Sequence, residues 1–195
     1  MLEAFPYVSV LNGYAVIDDL AYQEMSESVD AHVNQVFVGV QRNTQVTYSK
    51  RADGFFSCAP RSAKVNQVFC AALNLKQGGA GAMTKAHPNA AKVATVLLRA
   101  AYQCTYLSAI ANKSQELFLT MLGCGAFGND QETVFSEIVH VHKMYAANQG
   151  FNRGNLAKVY LVLYRKTSII ETFVEKLKKE GIPYKVLVNK IQVSM

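Results

Sequence analysis

Short apolar runs alternate with longer amphipathic stretches along most of this chain. Residues 117–122 and 159–164 are mostly apolar runs of strand length, and residues 65–73 begin with β-branched side chains, as a central strand would. Residues 93–111 keep apolar side chains at helical spacing over about five turns. This alternation predicts an α/β sandwich in which ligands bind at the carboxyl ends of the strands.

The flanking segments carry weaker signals. Residues 7–11 are predicted to form a strand, and the Asn12-Gly13 pair predicts a turn after it. Residues 18–33 are predicted to be helical. Two β-type runs lie on either side of residues 41–44, which predicts a hairpin turn there. The last clear strand is predicted at residues 184–188.

A glycine-rich stretch joins the strand at residues 117–122 to the next helix. Three glycines interrupt residues 123–128, and Asn129 and Glu132 then have the spacing of an N-cap and its N3 partner. Glycines let backbone N–H groups approach a phosphate, and a helix N-terminus adds a partial positive charge. The stretch predicts a site for a phosphate-bearing ligand. A tight β–α connection without a ligand is the alternative.

Composition sets bounds on partners and compartment. The chain has 195 residues, half of them apolar, which predicts one domain with a substantial core. Its net charge of +6 is not gathered in a block, and no aromatic-and-basic motif of an RNA-binding sheet is present, so nucleic acid is not an expected partner. No secretory signal and no run of about 18 apolar residues is present, which predicts a cytoplasmic protein without a membrane span.

The cysteines and histidines do not indicate a metal site. None of the four cysteines forms a Cys-x-x-Cys pair, so we expect free thiols rather than zinc ligands or disulfides. His140 and His142 lie two apart on a predicted helix, too far round it to hold one metal ion. We therefore expect no metal and no cofactor.

Four side chains in or near the predicted crevice have candidate roles. Cys124 follows the first glycine, where a helix start can acidify a thiol, or it simply packs. Asp130 either orients a ribose or a water molecule, or stabilises the first helical turn. Phe127 either stacks on a sugar or base, or packs the glycine-rich stretch onto the helix. Tyr164, at a strand end, either lines the same crevice or packs there.

Residues 123–129, Gly-Cys-Gly-Ala-Phe-Gly-Asn, resemble the second phosphate-binding loop of macro domains. The preceding helix and strand are similar to those of that family, and the resemblance runs in order over residues 65–190, with residues 1–60 divergent. It implies a single domain over residues 1–195, built as a three-layer α/β/α sandwich with a mixed sheet. Macro domains bind ADP-ribose, and some hydrolyse its linkage to proteins. The stretch also resembles a divergent branch that includes bacterial effector ADP-ribosyl hydrolases, which would work in a host cytosol.

The resemblance implies roles for particular residues. The backbone would hold the diphosphate, Phe127 would lie near the distal ribose, Tyr164 near the adenine, and Asp130 would assist a hydrolytic water molecule. The implied ligand-binding residues are Gly123, Cys124, Gly125, Ala126, Phe127, Gly128, Asn129 and Tyr164.

The chain departs from the family pattern in one respect that bears on catalysis. Residues 1–60 lack the early glycine loop that holds the distal ribose and the catalytic water, and the glycines of residues 78–81 follow a different strand. The paired-glutamate signature of poly(ADP-ribose) glycohydrolases is absent as well. Binding of ADP-ribose or an ADP-ribosylated protein is thus the first hypothesis, with hydrolysis open. A non-catalytic interaction module and an enzyme for another nucleotide or sugar phosphate are the alternatives.

Overall fold

The computed structural model describes residues 5–18, 29–51, 53–76, 84–146, 154–163, 169–187 and 190–194. Helices and strands are mixed along the chain, which confirms the α/β class. In chain order the elements are β1 (Val8–Leu11), β2 (Tyr14–Ile17), α1 (Val29–Val33), β3 (Gly39–Gln45), β4 (Tyr48–Lys50), β5 (Phe56–Cys58), β6 (Lys64–Phe69), α2 (Ala90–Ala111), β7 (Glu116–Thr120), α3 (Gln131–Ala146), β8 (Lys158–Val162), α4 (Ile169–Lys179), β9 (Tyr184–Leu187) and β10 (Lys190–Ser194).

The largest sheet has four strands in the order β7-β8-β10-β9. β7 and β8 are parallel, with Leu117 opposite Val159 and Leu119 opposite Leu161, and these four side chains are buried. β10 runs antiparallel to both of its neighbours, so the sheet is mixed. The sequence pattern did not predict β10, which inserts between β8 and β9.

Helix α2 is buried between two apolar clusters. Tyr102 and Tyr106 pack into the first cluster, with side chains from the four-stranded sheet, α3 and α4. Val93 and Leu97 pack into the second, with side chains from the β1–β2 hairpin and the segment around α1. A helix that is apolar all round needs a partner on each side. The apolar spacing predicted this helix, and the structure shows that it packs on two sides.

The N-terminal hairpin forms as its turn signal predicts. β1 and β2 pair antiparallel, and Asn12 and Gly13 connect them with φ of 50° and 81°. Both values lie in the left-handed region that a two-residue hairpin turn needs. Ala15 also makes a parallel bridge to Leu73. Of the predicted helix at residues 18–33 the structure describes α1, and residues 19–28 lie outside the described ranges.

The prediction of a buried central strand at residues 65–73 is wrong. The strand there is β6, which pairs antiparallel with β3 and exposes most of its side chains. Only its continuation, including Ala72 and Leu73, enters the core. A β-branched run fits an exposed ribbon as well as a core strand, because β propensity reports a pleated surface rather than depth.

The predicted hairpin turn at residues 41–44 is also wrong, because these residues lie within β3. A register irregularity occurs there instead, with Asn43 at φ 56° and its N–H donating to the Asn66 side chain at 2.9 Å. The chain turns at residues 51–55, where Arg51 N–H donates to Phe55 O at 2.7 Å.

Three helices meet at the Arg99 guanidinium. Its Nε and Nη2 donate to the Glu137 carboxylate on α3 at 2.7 and 3.1 Å, and its Nη1 donates to Asp30 on α1 at 2.7 Å. The Glu137 side chain is 9% exposed and that of Asp30 69% exposed. The ion pair with Glu137 is therefore shielded from solvent, whereas the ion pair with Asp30 is exposed to it.

Among the described residues, no helix has the length and apolar character to cross a membrane.

We expect Arg99→Ala to lower the free energy of unfolding by about 3 kcal/mol, because it leaves the buried Glu137 carboxylate unpaired. Asp30→Ala removes a solvent-exposed partner of the same guanidinium and should cost less than about 1 kcal/mol. Denaturant unfolding of the two variants beside the wild type measures the difference. Equal losses would show that the burial of Glu137 does not control the strength of this contact.

Candidate functional site

The end of β7 is held by one buried hydroxyl. Tyr102 of α2 donates to Thr120 O at 2.8 Å and accepts from Leu122 N–H at 3.1 Å. Burial raises the pKa of Tyr102 above its ordinary value, so the hydroxyl stays neutral and keeps its proton to donate. These bonds fix where the chain leaves the sheet and where residues 123–128, the glycine loop, begin.

The buried Asn129 side chain holds the start of the glycine loop against the protein core. It is 4% exposed, and its Nδ2 donates to Leu73 O at 2.8 Å and to Gly123 O at 3.4 Å. The Asn129 N–H also donates to Gly123 O at 3.0 Å. Asn129 was expected among the ligand-binding residues. The structure places its side chain inside the protein, where it positions the loop.

Two of the three loop glycines are required by space and by backbone conformation. A Cβ on Gly123 would lie 2.6 Å from both Ala72 Cβ and Asn129 Nδ2, and φ is +75° there. A Cβ on Gly128, at φ +68°, would lie 3.3 Å from Leu75 O. Gly125 differs, since a Cβ there would meet nothing within 4 Å. The loop is therefore pinned at both ends and open in the middle.

The middle of the glycine loop presents backbone donors. Gly125, Ala126 and Gly128 are exposed, and Phe127 is half-buried. Within the described part of the chain, none of the four N–H groups has a hydrogen-bond partner, whereas the neighbouring Cys124 N–H donates to Met121 O at 3.3 Å. Consecutive N–H groups without internal partners can bind an anion.

The structure brings three residues to the loop that sequence reasoning missed. Leu75 N–H donates to Phe127 O at 2.7 Å, and the backbone of the exposed Lys76 packs against Gly128. The Tyr14 ring, on β2, contacts the Phe127 ring edge-on, with centroids 5.8 Å apart. Such contacts link distant parts of the chain, so local patterns give no signal for them.

Residues 75–76 lead directly into the second glycine-rich stretch, residues 78–81. The sequence interpretation separated that stretch from the phosphate loop because it follows a different strand. The structure instead places the described residues before it against Phe127 and Gly128. The stretch itself lies outside the described residues, as does Tyr164.

Asp130, rather than Asn129, is the N-cap of α3. Its Oδ2 accepts from the Thr133 N–H at 2.7 Å and from the Thr133 hydroxyl at 2.8 Å, so Thr133 takes the place predicted for Glu132. These hydrogen bonds lower the pKa of Asp130 below its usual range. The carboxylate therefore stays ionised at neutral pH and already occupies the positive end of the helix. An anion at this site would therefore meet the loop N–H groups rather than the helix terminus.

Cys124 lacks the properties of an activated thiol. Burial, with a smaller contribution from the nearby Asp130 carboxylate, raises its pKa to about 11. Of the two roles considered for Cys124, the raised pKa favours packing over an acidified thiol, because burial disfavours the thiolate and the Asp130 carboxylate caps the helix start. The described cysteines are free, and no group of three metal-ligating side chains occurs in the described ranges.

An open cavity of about 590 Å³ is lined by residues of β6, α2 and β7, Tyr102 among them. Its lining includes Val68, Phe118 and Leu122 but none of residues 123–128. The cavity and the exposed donors of the glycine loop are therefore separate features.

We expect Gly123→Ala and Gly125→Ala to differ sharply in stability. The first combines a left-handed φ with a Cβ only 2.6 Å from neighbouring atoms and should lower the free energy of unfolding by about 3 kcal/mol. The second adds a methyl group in open space and should change it by less than about 0.5 kcal/mol. Denaturant unfolding tests this, and equal stabilities would mean that Gly123 does not pack against Ala72 and Asn129.

The thiolate of Cys124 should form only at high pH. Because its pKa is raised to about 11, alkylation of Cys124 should accelerate about tenfold for each pH unit between pH 8 and 10. At pH 7.5 it should be slower than alkylation of the exposed Cys58. Peptide mass spectrometry after timed iodoacetamide treatment measures both rates. Rapid, pH-independent labelling of Cys124 would refute the assignment.

Comparisons with known proteins add no identification to this geometry. The chain matches none of the protein-family models, and no curated protein or solved structure is significantly similar to it.

Proposed function

We propose that the glycine loop binds the diphosphate of ADP-ribose, free or attached to a protein, on a fold of the three-layer macro-domain type. The observation that carries the proposal is the run of N–H groups from Gly125 to Gly128, which have no partner in the described structure. Hydrogen bonds from Tyr102, Asn129 and Leu75 already hold the loop, so it need not rearrange to receive a ligand.

Charge supports an anionic ligand. Lys76 is exposed beside Gly128, and the chain carries a net charge of +6. Hydrogen bonds from backbone N–H groups to charged oxygens are stronger than those between neutral groups. The Asp130 carboxylate opposes an anion, but its hydrogen bonds to Thr133 orient it toward the helix.

Aromatic side chains support a nucleotide rather than a bare diphosphate. Phe127 and the 47%-exposed Tyr14 form an edge-to-face pair at the loop. An exposed ring beside phosphate donors offers an apolar surface to a ribose or a base. Inorganic pyrophosphate would use the loop donors alone and should bind more weakly.

The contacts of Asp130 support binding over hydrolysis. A hydrolase of this type would need a group to activate a water molecule or protonate the leaving group. Asp130, the candidate acid, is ionised, so it has no proton to donate at neutral pH. Its Oδ2, which could otherwise activate a water molecule, already accepts from the Thr133 N–H and hydroxyl. The proposal is therefore an ADP-ribose reader, and an interaction module without a ligand is its alternative.

Isothermal titration calorimetry with ADP-ribose, AMP and inorganic pyrophosphate tests the proposal. ADP-ribose should bind most tightly. Gly125→Glu should weaken it by roughly 100-fold, because a carboxylate then lies among the donors that meet the diphosphate. Gly125→Ala is the matched control, since its Cβ meets nothing within 4 Å, and it should bind within a few-fold of the wild type.

Three results would overturn this function. Absence of heat with all three ligands would favour the interaction module. Tightest binding of AMP would assign the protein to another nucleotide. Equal binding by the wild type and Gly125→Glu would place the ligand elsewhere.

A further inference from the structure

Residues 39–69 form one continuous two-stranded ribbon. β3 pairs with β6 at its base, and β4 pairs with β5 toward its tip, both antiparallel. Between the two pairings, Val46 N–H donates to Ala63 O at 2.8 Å and Ala59 N–H donates to Thr47 O at 2.9 Å. The two short sheets are therefore consecutive parts of a single arm, which we call the ribbon.

The ribbon exposes large aromatic side chains near its tip. Tyr48, Phe55 and Phe56 are 65%, 72% and 71% exposed. A two-stranded hairpin gains little stability alone, and clustered exposed apolar groups on a protein surface mark interaction sites. We therefore expect these rings to contact a partner that provides apolar or π surfaces.

Most of the net charge of the chain lies on the same ribbon. The five basic residues are Arg42, Lys50, Arg51, Arg61 and Lys64. Asp53 is the one acidic residue, so the ribbon carries +4 of the chain's +6. Arg51 pairs with Asp53 at 2.7 Å. Among the described residues, the other four basic side chains make no ion pair, so their charge is available to an anionic partner.

Strand register places rings and charge on one face. Tyr48 lies opposite Cys58, and Lys50 lies opposite Phe56. Ser49 and Ser57 face the other way, with their hydroxyl oxygens 3.3 Å apart. Since residues two apart share a face, Tyr48, Lys50 and Phe56 lie together, with the two rings on a diagonal of roughly 7–8 Å between Cα atoms.

We propose that this face of the ribbon binds single-stranded nucleic acid. Tyr48 and Phe56 each offer a ring on which a base can stack, and Lys50 between them meets the phosphate backbone. Rings on adjacent strands of one sheet face are a known platform for splayed bases. Every nucleotide of a single strand carries both a phosphate charge and a π surface, whereas the charged side chains of an acidic peptide carry no ring.

Pairing between strands explains why the sequence did not predict this surface. Tyr48 and Phe56 lie eight residues apart, and only the antiparallel register of β4 and β5 brings them to one face with Lys50. The expectation that nucleic acid is not a partner relied on contiguous motifs. The ribbon proposal is independent of the ADP-ribose site, because the two share no residue.

Fluorescence anisotropy with a labelled oligouridine of about 12 nucleotides, within the site sizes of single-strand binders, tests the proposal. The Tyr48→Ala/Phe56→Ala double variant should bind roughly tenfold or more weakly, since each lost stacking contact weakens binding severalfold or more. Lys50→Glu should weaken binding and flatten its dependence on salt concentration.

Matched controls separate the ribbon face from general effects. Ser49→Ala lies on the opposite face of the same strand, and Lys178→Glu makes the same charge change on the exposed surface of α4. Both should bind within about twofold of the wild type, as should Gly125→Glu. Thermal unfolding should be similar for all, because the substituted side chains are exposed.

Three results would overturn the proposal. One is no anisotropy change with RNA or DNA oligonucleotides at low salt. Another is equal binding by the wild type and the double variant. The third is stronger binding to polyglutamate, or to vesicles containing phosphatidylserine, than to the oligonucleotide, which would assign the ribbon to an acidic protein or a membrane surface.

Discussion

The carboxamide of Asn129 is the contact on which the candidate site depends. One side-chain nitrogen joins the carbonyl of Leu73, in the second apolar cluster, to the carbonyl of Gly123, which follows β7. Loss of the carboxamide would leave the buried Leu73 carbonyl without this donor, at a cost of about 1–3 kcal/mol, whereas Gly123 O would keep its bond from the Asn129 N–H. The same contact holds Gly123 against Ala72 and leaves the centre of the loop facing solvent.

Helix α2 packs against both parts of the protein that the Asn129 contact joins. Its two apolar sides hold the N-terminal hairpin and the mixed sheet in one body, and the glycine loop lies where the two meet. Tyr102 fixes one edge of the loop from the helix, and Leu75 fixes the other through Phe127 O. The ribbon leaves this body with its side chains exposed, so it has a separate surface and a separate chemistry.

Patterns within one element predicted much of the chain. The spacing of apolar residues along α2, the apolar run of β7 and the Asn12-Gly13 turn each report local preferences, and each element forms in the structure. The burial expected for the run of β7 is only half right, because alternate side chains of this strand are exposed. The glycine loop was predicted as a break between strand and helix for the same reason. The burial of residues 65–73, and the meeting of Tyr14 and Lys76 with the loop, depend on pairing between distant segments. Neither a β-branched run nor a single lysine predicts which distant segment will pair with it.

The central claim is that the backbone N–H groups of Gly125, Ala126, Phe127 and Gly128 meet a diphosphate. Titration of ¹⁵N-labelled protein with ADP-ribose, followed by amide chemical shifts, observes those groups directly. We predict saturable downfield shifts of these four amide protons, with little change at the already bonded Asn129 N–H. Unchanged resonances at these positions, or shifts confined to other parts of the chain, would contradict the account.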